Sequence, residues 1–557
     1  MNKRILVTLL LTAMFGKSYA ENCNTCEPCE TVCPISTCRC AATSQTFFFV
    51  RPEYQAGMPE RTTLWHDRML ARDGGRGGAI QIVPFGGRTT RSSDLAAYFS
   101  INCQSALNVS ENFDAPYNDI LSPHLNIYTN AANEGLENEE FQSQICFQPT
   151  RSVGGVGFTY RQGFARRDDG RGFFFVASFP IERVKTSMHL GETVYSDGNG
   201  ALECATIGNA PYTAPDTLSC PLASAVGLNG VAYAPVANAC QAFSQPAWAF
   251  GRIDNNSSEN HRTGVADVDL LIGYDLTHGE HCYMSSYGGV LAPTGNRPNG
   301  ITMFEPIIGH NHHTTIRWGG SFGAELWTHK TKNRNIWFDF QSEFFFHLNN
   351  TQVRSFDVKN KPWSRYMQVY SSFEQAQEAF VTGNPFLHTP GINVFTQQVK
   401  VNAGTARTYQ SAFIFNNEGF EGELGYTFFA RPDECVELEC TFPQGVAFKA
   451  IDGTYGQINN VQIIGNAFNC TNVNPFANGV TNPEETYMES TITDADLNLN
   501  SAAHPGMQTY IIYASMGNRW DDRDYPLSLG GGGSYEFSKN NTGMTRWLLW
   551  AKCAVSF

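Results

Sequence analysis

The chain has 557 residues, 52 of them acidic and 38 basic, a formal net charge of −14 and 16% charged side chains, where ordinary soluble domains carry about 25%. Beyond the N-terminus no apolar run reaches the roughly eighteen residues of a transmembrane helix, which excludes helical spans. A negative mean hydropathy beside 13% aromatic residues leaves a transmembrane β-barrel, whose alternating faces cancel in any hydropathy window, or a large secreted β-sandwich or solenoid.

Residues 1–20, "MNKRILVTLLLTAMFGKSYA", read as a cleaved secretory signal peptide. Lys3 and Arg4 form the basic start, Ile5 to Phe15 the apolar run, and Ser18 and Ala20 the small-x-small end. Removing them takes the net charge from −14 to −17. A Cys-rich segment follows at 21–45, "CNTCEPCETVCPISTCRC", with Cys23, Cys26, Cys29, Cys33, Cys38 and Cys40. Its C-x2-C-x2-C-x3-C-P start is ferredoxin spacing. In an exported chain with sixteen cysteines, disulfides are the first reading, within the segment or between neighbouring molecules.

From about residue 153 onward, segments alternate with period two, which in a strand sends the two sets of side chains to opposite faces. In "VADVDLLIGYDL" Ala266, Val268, Leu270, Ile272, Tyr274 and Leu276 oppose Asp267, Asp269 and Asp275. In "TTIRWGGSFGAELW" Ile316, Trp318, Phe322 and Leu326 oppose Arg317, Ser321 and Glu325. In "IWFDFQSEFFFHL" Ile336, Phe338, Phe340, Phe344 and Phe346 oppose Asp339, Gln341 and Glu343. In "FEGELGYTFFAR" Phe420, Leu424, Tyr426 and Phe428 oppose Glu421, Glu423, Thr427 and Arg431. Further strands are predicted at 153–164, 171–183, 281–292, 392–401, 407–416, 507–518 and 527–538. These segments are about twice the usual strand length of five to six residues and suit a tilted bilayer crossing of about nine to eleven.

The fold class is therefore all-β, an antiparallel transmembrane β-barrel of about 12–16 strands over 46–557, with strands hidden in 46–105 or 440–470 able to raise the count. The connections 186–261 and 440–506, rich in Gly, Asn, Pro and Ser, read as long external loops, one of them closed by Cys435 and Cys440. Residues 364–380 read as a short helix.

The chain ends "TRWLLWAKCAVSF", in which Trp547, Leu549, Ala551, Cys553, Val555 and Phe557 alternate with Arg546, Leu548, Trp550, Lys552, Ala554 and Ser556. Here the sequence resembles bacterial outer-membrane β-barrel proteins, whose last strand alternates in this way and ends on an aromatic residue. The resemblance implies that the terminal strand with Phe557 is the signal read by the barrel-assembly machinery. An acidic, cysteine-rich barrel is also similar to the major outer membrane porins of chlamydia-type bacteria, which implies disulfides to neighbouring envelope proteins. The N-terminal cysteine run departs from ordinary porins, which are nearly free of cysteine.

Other motifs have plainer readings. "GGSFG" at 319–323 fits G-x-S-x-G, but a nucleophile elbow needs a strand, a sharp turn and a helix, and Ser321 lies inside one alternating strand. "GHNHH" (His310, His312, His313) and "HGEHC" (His278, His281, Cys282) have possible metal spacing, yet fall at strand ends and read as solvated rim residues. "RRDDGRG" (166–172) reads as a polar turn. No catalytic residue, metal or cofactor is expected, and the protein is expected not to be an enzyme. The inward charges Asp267, Asp269, Asp275, Arg317, Glu325, Asp339, Glu343, Glu421, Glu423, Arg431, Arg546 and Lys552 are candidate pore-lining residues. Acidic members outnumber basic ones, so a mild cation preference is expected. The sequence thus points to a porin-like outer-membrane channel for passive diffusion of small hydrophilic solutes, with a structural or adhesive envelope barrel as the alternative. Expected partners are outer-membrane lipid, the barrel-assembly machinery, small solutes, and itself or other envelope proteins through disulfides; nucleic acid is not among them.

Overall fold

The computed structural model describes residues 77–111, 119–127, 140–167, 169–198, 236–253, 260–279, 281–329, 334–382, 388–449, 455–456, 483–488, 491–538 and 542–557. The signal peptide and the six N-terminal cysteines lie outside the described residues.

Twelve strands close into one antiparallel barrel. They are β1 Gly78–Thr89, β2 Thr150–Phe164, β3 Gly172–Ser187, β4 Val268–His278, β5 Cys282–Ala292 and β6 Thr315–His329, then β7 Arg334–His347, β8 Thr405–Asn417, β9 Phe420–Arg431, β10 Met507–Trp520, β11 Leu527–Ser538 and β12 Arg546–Ser556. Each pairs with its neighbours in sequence, and β12 returns to β1 through pairs such as Ile80 with Val555 and Phe85 with Trp550. Closure leaves no open edge, so every ladder hydrogen bond is made within the protein, as a wall standing in hydrocarbon requires. His261–Val265 adds a short spur beside β3.

The alternation sets what faces outward. Along β4, Leu270 and Ile272 are 44% and 56% exposed, whereas Asp269 and Asp275 are 2% and 3%. The outer wall continues through Ile80, Ile82, Ile316, Trp318, Phe413, Leu424, Ile512 and Leu549, all exposed. Outward apolar surface of this extent is unfavourable in water and favourable in lipid. Aromatic rings mark both ends of the outer band. Phe173 lies 5.9 Å from Phe164 and 4.8 Å from Tyr274 at one end. At the other, Tyr409, Phe428, Tyr510 and Phe537 form a ladder with centroids 5.5–6.3 Å apart. Paired aromatic girdles are the signature of the two membrane interfaces.

Connections alternate in length. The strand ends Phe164 and Gly172, His278 and Cys282, His329 and Arg334, Asn417 and Phe420, and Trp520 and Leu527 all lie at one end, with Gly78 and Phe557. The strand ends joined by 90–149, 188–267, 293–314, 348–404, 432–506 and the short 539–545 lie at the other, and the described residues of the five long connections belong there. They are not plain loops: they build a cap with its own hydrophobic core. One cap sheet joins Ala106–Ser110 and Phe141–Cys146 to Gly191–Asp197; another joins Asn350–Ser355, Thr396–Asn402 and Cys435–Leu438. Phe243, Trp248, Trp363 and Tyr366 stack at its centre, with Trp248 and Tyr366 5.3 Å apart.

Three sequence expectations change here. The segment 392–401 is not a wall strand, because Gly391–Val394 is helical and Thr396–Asn402 belongs to the cap; β1, hidden in 46–105, takes its place in the barrel. Residues 364–380 are not one helix. Gln368–Tyr370 is extended, since Val369 pairs with Thr389 and Phe448, and the helix starts at Phe373. Cys440 carries a free thiol, so it makes no bond to Cys435.

Candidate functional site

The inner wall carries three groups of polar side chains. Nearest the turn end, Asp275 of β4 accepts from Arg166 at 2.6 Å and lies 3.6 Å from Arg161. The Arg161 guanidinium is stacked on Phe174, 3.9 Å from the ring centroid. Gly273 makes room for that ring, because a Cβ there would fall 2.1 Å from Phe174 Cζ. Across the barrel, Glu423 accepts from the Tyr513 hydroxyl at 3.0 Å and from Ser515 at 3.3 Å. Asp339, Glu421 and Lys552 are buried on the same inner face.

Nearer the cap, Arg317 of β6 is the centre of a second group. Its guanidinium donates to Asp269 of β4 and to Glu343 of β7, and sits 5.7 Å from the Tyr287 ring centroid and 5.5 Å from that of Phe345. The Tyr287 hydroxyl donates to Glu343 at 2.7 Å, and Gln341 donates to Tyr287 at 2.5 Å. Each of the two carboxylates thus meets a guanidinium donor, the charge-assisted geometry that holds such groups in place. Arg546 donates to Glu536 at 2.6 Å on the neighbouring strands, and Arg431 lies over Phe429.

The third group lies at the mouth. Asp267, directly before β4, is fully buried and does not stand on an open wall. Its carboxylate accepts from Gly295 N–H at 3.0 Å, from His310 N–H at 3.1 Å and from the His310 ring. Gly309 takes φ +71°, and a Cβ on it would fall 2.6 Å from Asp267 Oδ1. Glycine therefore answers both the left-handed backbone and the close approach. These contacts hold the connection 293–314 against the wall, and Ile308 belongs to one buried cluster with the inner-face residues Val83, Val184, Leu291 and Leu548.

All twelve candidate charges are thus described, and eleven are buried on the inner face or at the mouth. Glu325 differs. It sits beside a register shift in β6 near the turn-end rim and accepts from His281 at 2.5 Å. The partners Arg161, Arg166, Glu182 and Glu536 escaped selection, although the parity that places Asp275 also places Arg161 inward. His310 and His313 are buried, not solvated. Their polar partners come from distant segments, which spacing along the chain does not reveal. Among the described residues no group of three or more His, Cys, Asp or Glu side chains is arranged to hold a metal ion. Ser321 lies mid-strand with its hydroxyl 2.5 Å from that of Ser285. An open cleft of about 550 Å³ between Ala165, Arg167, Phe173 and Tyr274 lies at the turn end, where Ala165 and Arg167 flank Arg166 and Tyr274 adjoins Asp275 along the chain.

No family model and no curated protein matches the sequence. Solved structures do. An outer membrane channel from Pseudomonas putida F1 is 10% identical, with 91% of this chain and all of that chain covered at a TM-score of 0.35. A Pseudomonas aeruginosa FadL homologue is 8% identical, covering 92% and 99% at a TM-score of 0.27. The barrel itself rests on the closed strand register, independently of these likenesses.

Proposed function

We propose that the protein is a capped bacterial outer-membrane channel that admits small hydrophilic solutes with a mild preference for cations. The observation that carries this reading is the reversal of polarity across one wall, apolar and ringed by aromatics outside, charged inside. In barrels of this class short turns face the periplasm and long connections face outward, which places the cap on the cell exterior. The inner acidic groups Asp275, Asp339, Glu343, Glu421 and Glu423 outweigh Arg161, Arg317, Arg431 and Lys552, and carboxylates along a narrow path favour cations. Passive diffusion asks for no nucleophile, metal or cofactor. Recognition of the last strand and Phe557 by the barrel-assembly machinery, and kinship with the cysteine-rich porins of chlamydia-type bacteria, belong to the same proposal.

Reversal potentials across planar bilayers under a potassium chloride gradient test it. A cation-selective reversal potential is expected, diminished in Glu421→Gln/Glu423→Gln; anion preference overturns the charge argument, and absence of any conductance overturns the channel. The alternative, an envelope barrel cross-linked by disulfides, is favoured by the exposed free thiols of Cys282 at the turn end and Cys440 at the cap end. Non-reducing gels of intact envelopes check it through large species that collapse on reduction.

A further inference from the structure

The connection 293–314 is held at the mouth by a chain of buried hydrogen bonds that accepts only neutral imidazole at its centre. His313 donates from Nδ1 to the carbonyl of Leu348 at 2.9 Å, and its Nε2 accepts from the Gln352 amide at 3.0 Å. That amide cannot turn over to offer its oxygen. Gln352 Oε1 is already taken by Arg354, at 3.0 Å from Nε and 2.8 Å from Nη2, while Gln352 Nε2 shares its two hydrogens among three acceptors, His313 Nε2, the carbonyl of Asn311 at 3.0 Å and Asn350 Oδ1 at 2.8 Å. A proton on His313 Nε2 would therefore point donor at donor, in a site with no water-like dielectric to relieve it.

The surroundings are fixed from every side. On the same connection stand His310, whose Nε2 lies 2.8 Å from Thr315 Oγ1, and Glu305, which accepts from the backbone of Asn299 and Gly300. From β7 comes His347, its Nδ1 2.7 Å from the same threonine hydroxyl, and the three imidazole centroids lie 5.0–6.1 Å apart. Asp267 and Glu182 face the connection from the wall. Arg354 pairs with Glu434 at 3.3 Å, Glu434 accepts from His504 N–H, and His504 Nδ1 meets the Tyr98 hydroxyl, from the helix Ser92–Phe99, at 3.1 Å. Arg262 lies in the field of Glu305.

We propose that 293–314 is an acid-released gate, latched over the channel mouth while His313 is neutral and freed when it takes up a proton. The inference rests on the channel reading for its conductance, but not for the release itself. Burial, the largest influence, lowers His313 from 6.5 to about 3 in the latched state, so the imidazole stays neutral there. A group whose latched pKa is depressed favours release as pH falls below its free value, by about tenfold per pH unit. Glu305 acts in the opposite sense. Burial raises it to about 6, so between that value and its ordinary 4.5 it takes its proton first in the latched state and holds the gate shut. At pH 4 the two leave a net shift toward release of about tenfold, which rises to about 300-fold if the opposition of Glu305 is removed.

Hydrogen exchange across 293–314, measured by mass spectrometry at pH 7 and pH 4 against the barrel strands as reference, reads the release directly. Planar-bilayer open probability at the same two pH values reads its consequence. In the wild-type protein the opening equilibrium of 293–314, read from exchange after correction for the slower intrinsic amide chemistry in acid, and the open probability are each expected to rise about tenfold at pH 4. His313→Gln is expected to abolish the rise, and Glu305→Gln to enlarge it and move its onset toward pH 6. Equal protection of 293–314 at both pH values, or a rise that persists unchanged in His313→Gln, overturns the gate. Exchange that rises with acid while no pH gives conductance leaves the latch standing and overturns the channel reading alone.

Discussion

Arg317 shows how a single side chain can be structural and electrostatic at once. It pairs with Asp269 of β4, two strands away across β5, and with Glu343 of the adjacent β7, while Tyr287 and Phe345 cover its faces. Buried pairs contribute little net stability over an apolar replacement, but removing one partner leaves uncompensated charge at a cost of about 3–5 kcal/mol. Arg317→Met is therefore expected to destabilise the barrel by about that amount, seen as a lower denaturant midpoint in lipid vesicles. Adding Asp269→Asn and Glu343→Gln to the same variant should restore most of the loss. If Arg317→Met alone unfolds at the wild-type midpoint, the two carboxylates do not depend on Arg317.

At the level of elements, period-two alternation was legible wherever a strand met lipid on one side and water or charge on the other. That is why Leu270 against Asp269, and Phe338 against Asp339, sorted correctly from the sequence. It failed where alternation arose from another cause. Residues 392–401 alternate because Thr396–Asn402 is a strand of the cap with one buried face, and a half-buried soluble strand carries the same pattern as a membrane strand. β1 was obscured by its glycines and by Pro84, and the cap was invisible because its sheets pair segments far apart in the chain. The inward connection 293–314 left one local trace, glycines at 295 and 309 where the backbone crowds Asp267 and Ile308. Gly309→Ala adds a Cβ to a left-handed residue, at about 1–2 kcal/mol, and pushes it against the Asp267 carboxylate. The expected result is chymotryptic cleavage after Phe304, buried in the wild-type protein, with the barrel itself still resistant. Protection equal to wild type would show that the connection is held without the Asp267 contacts.

For the whole molecule, the question is whether cap and barrel are one cooperative unit. No connection builds the cap alone. Its first sheet draws on 90–149 and 188–267, its second on 348–404 and 432–506, and Asp357–Val358 pairs with Leu497–Asn498. Each of these segments is brought to its partner by the strands between them, so the loop-closure entropy of cap formation is borne by the barrel. The barrel in turn is closed by its last strand, sealed at Gly78 and Phe557 by reciprocal backbone hydrogen bonds of 2.8 and 2.9 Å, with the Phe557 ring stacked 6.4 Å from Tyr160. Truncation before Arg546 removes that seal and leaves β1 and β11 with open edges. It is expected to abolish the cap as well as the wall. Near-ultraviolet circular dichroism from the buried Trp248 and Trp363 and heat-dependent gel mobility of the barrel should vanish together in the truncated chain. In the full chain the same two signals should lose their native values at one temperature. A protease-resistant cap surviving the truncation, or two separate transitions in the full chain, would make the cap a domain that folds for itself. Such a cap could be shed without opening the wall, and the mouth would then owe its closure to 293–314 alone.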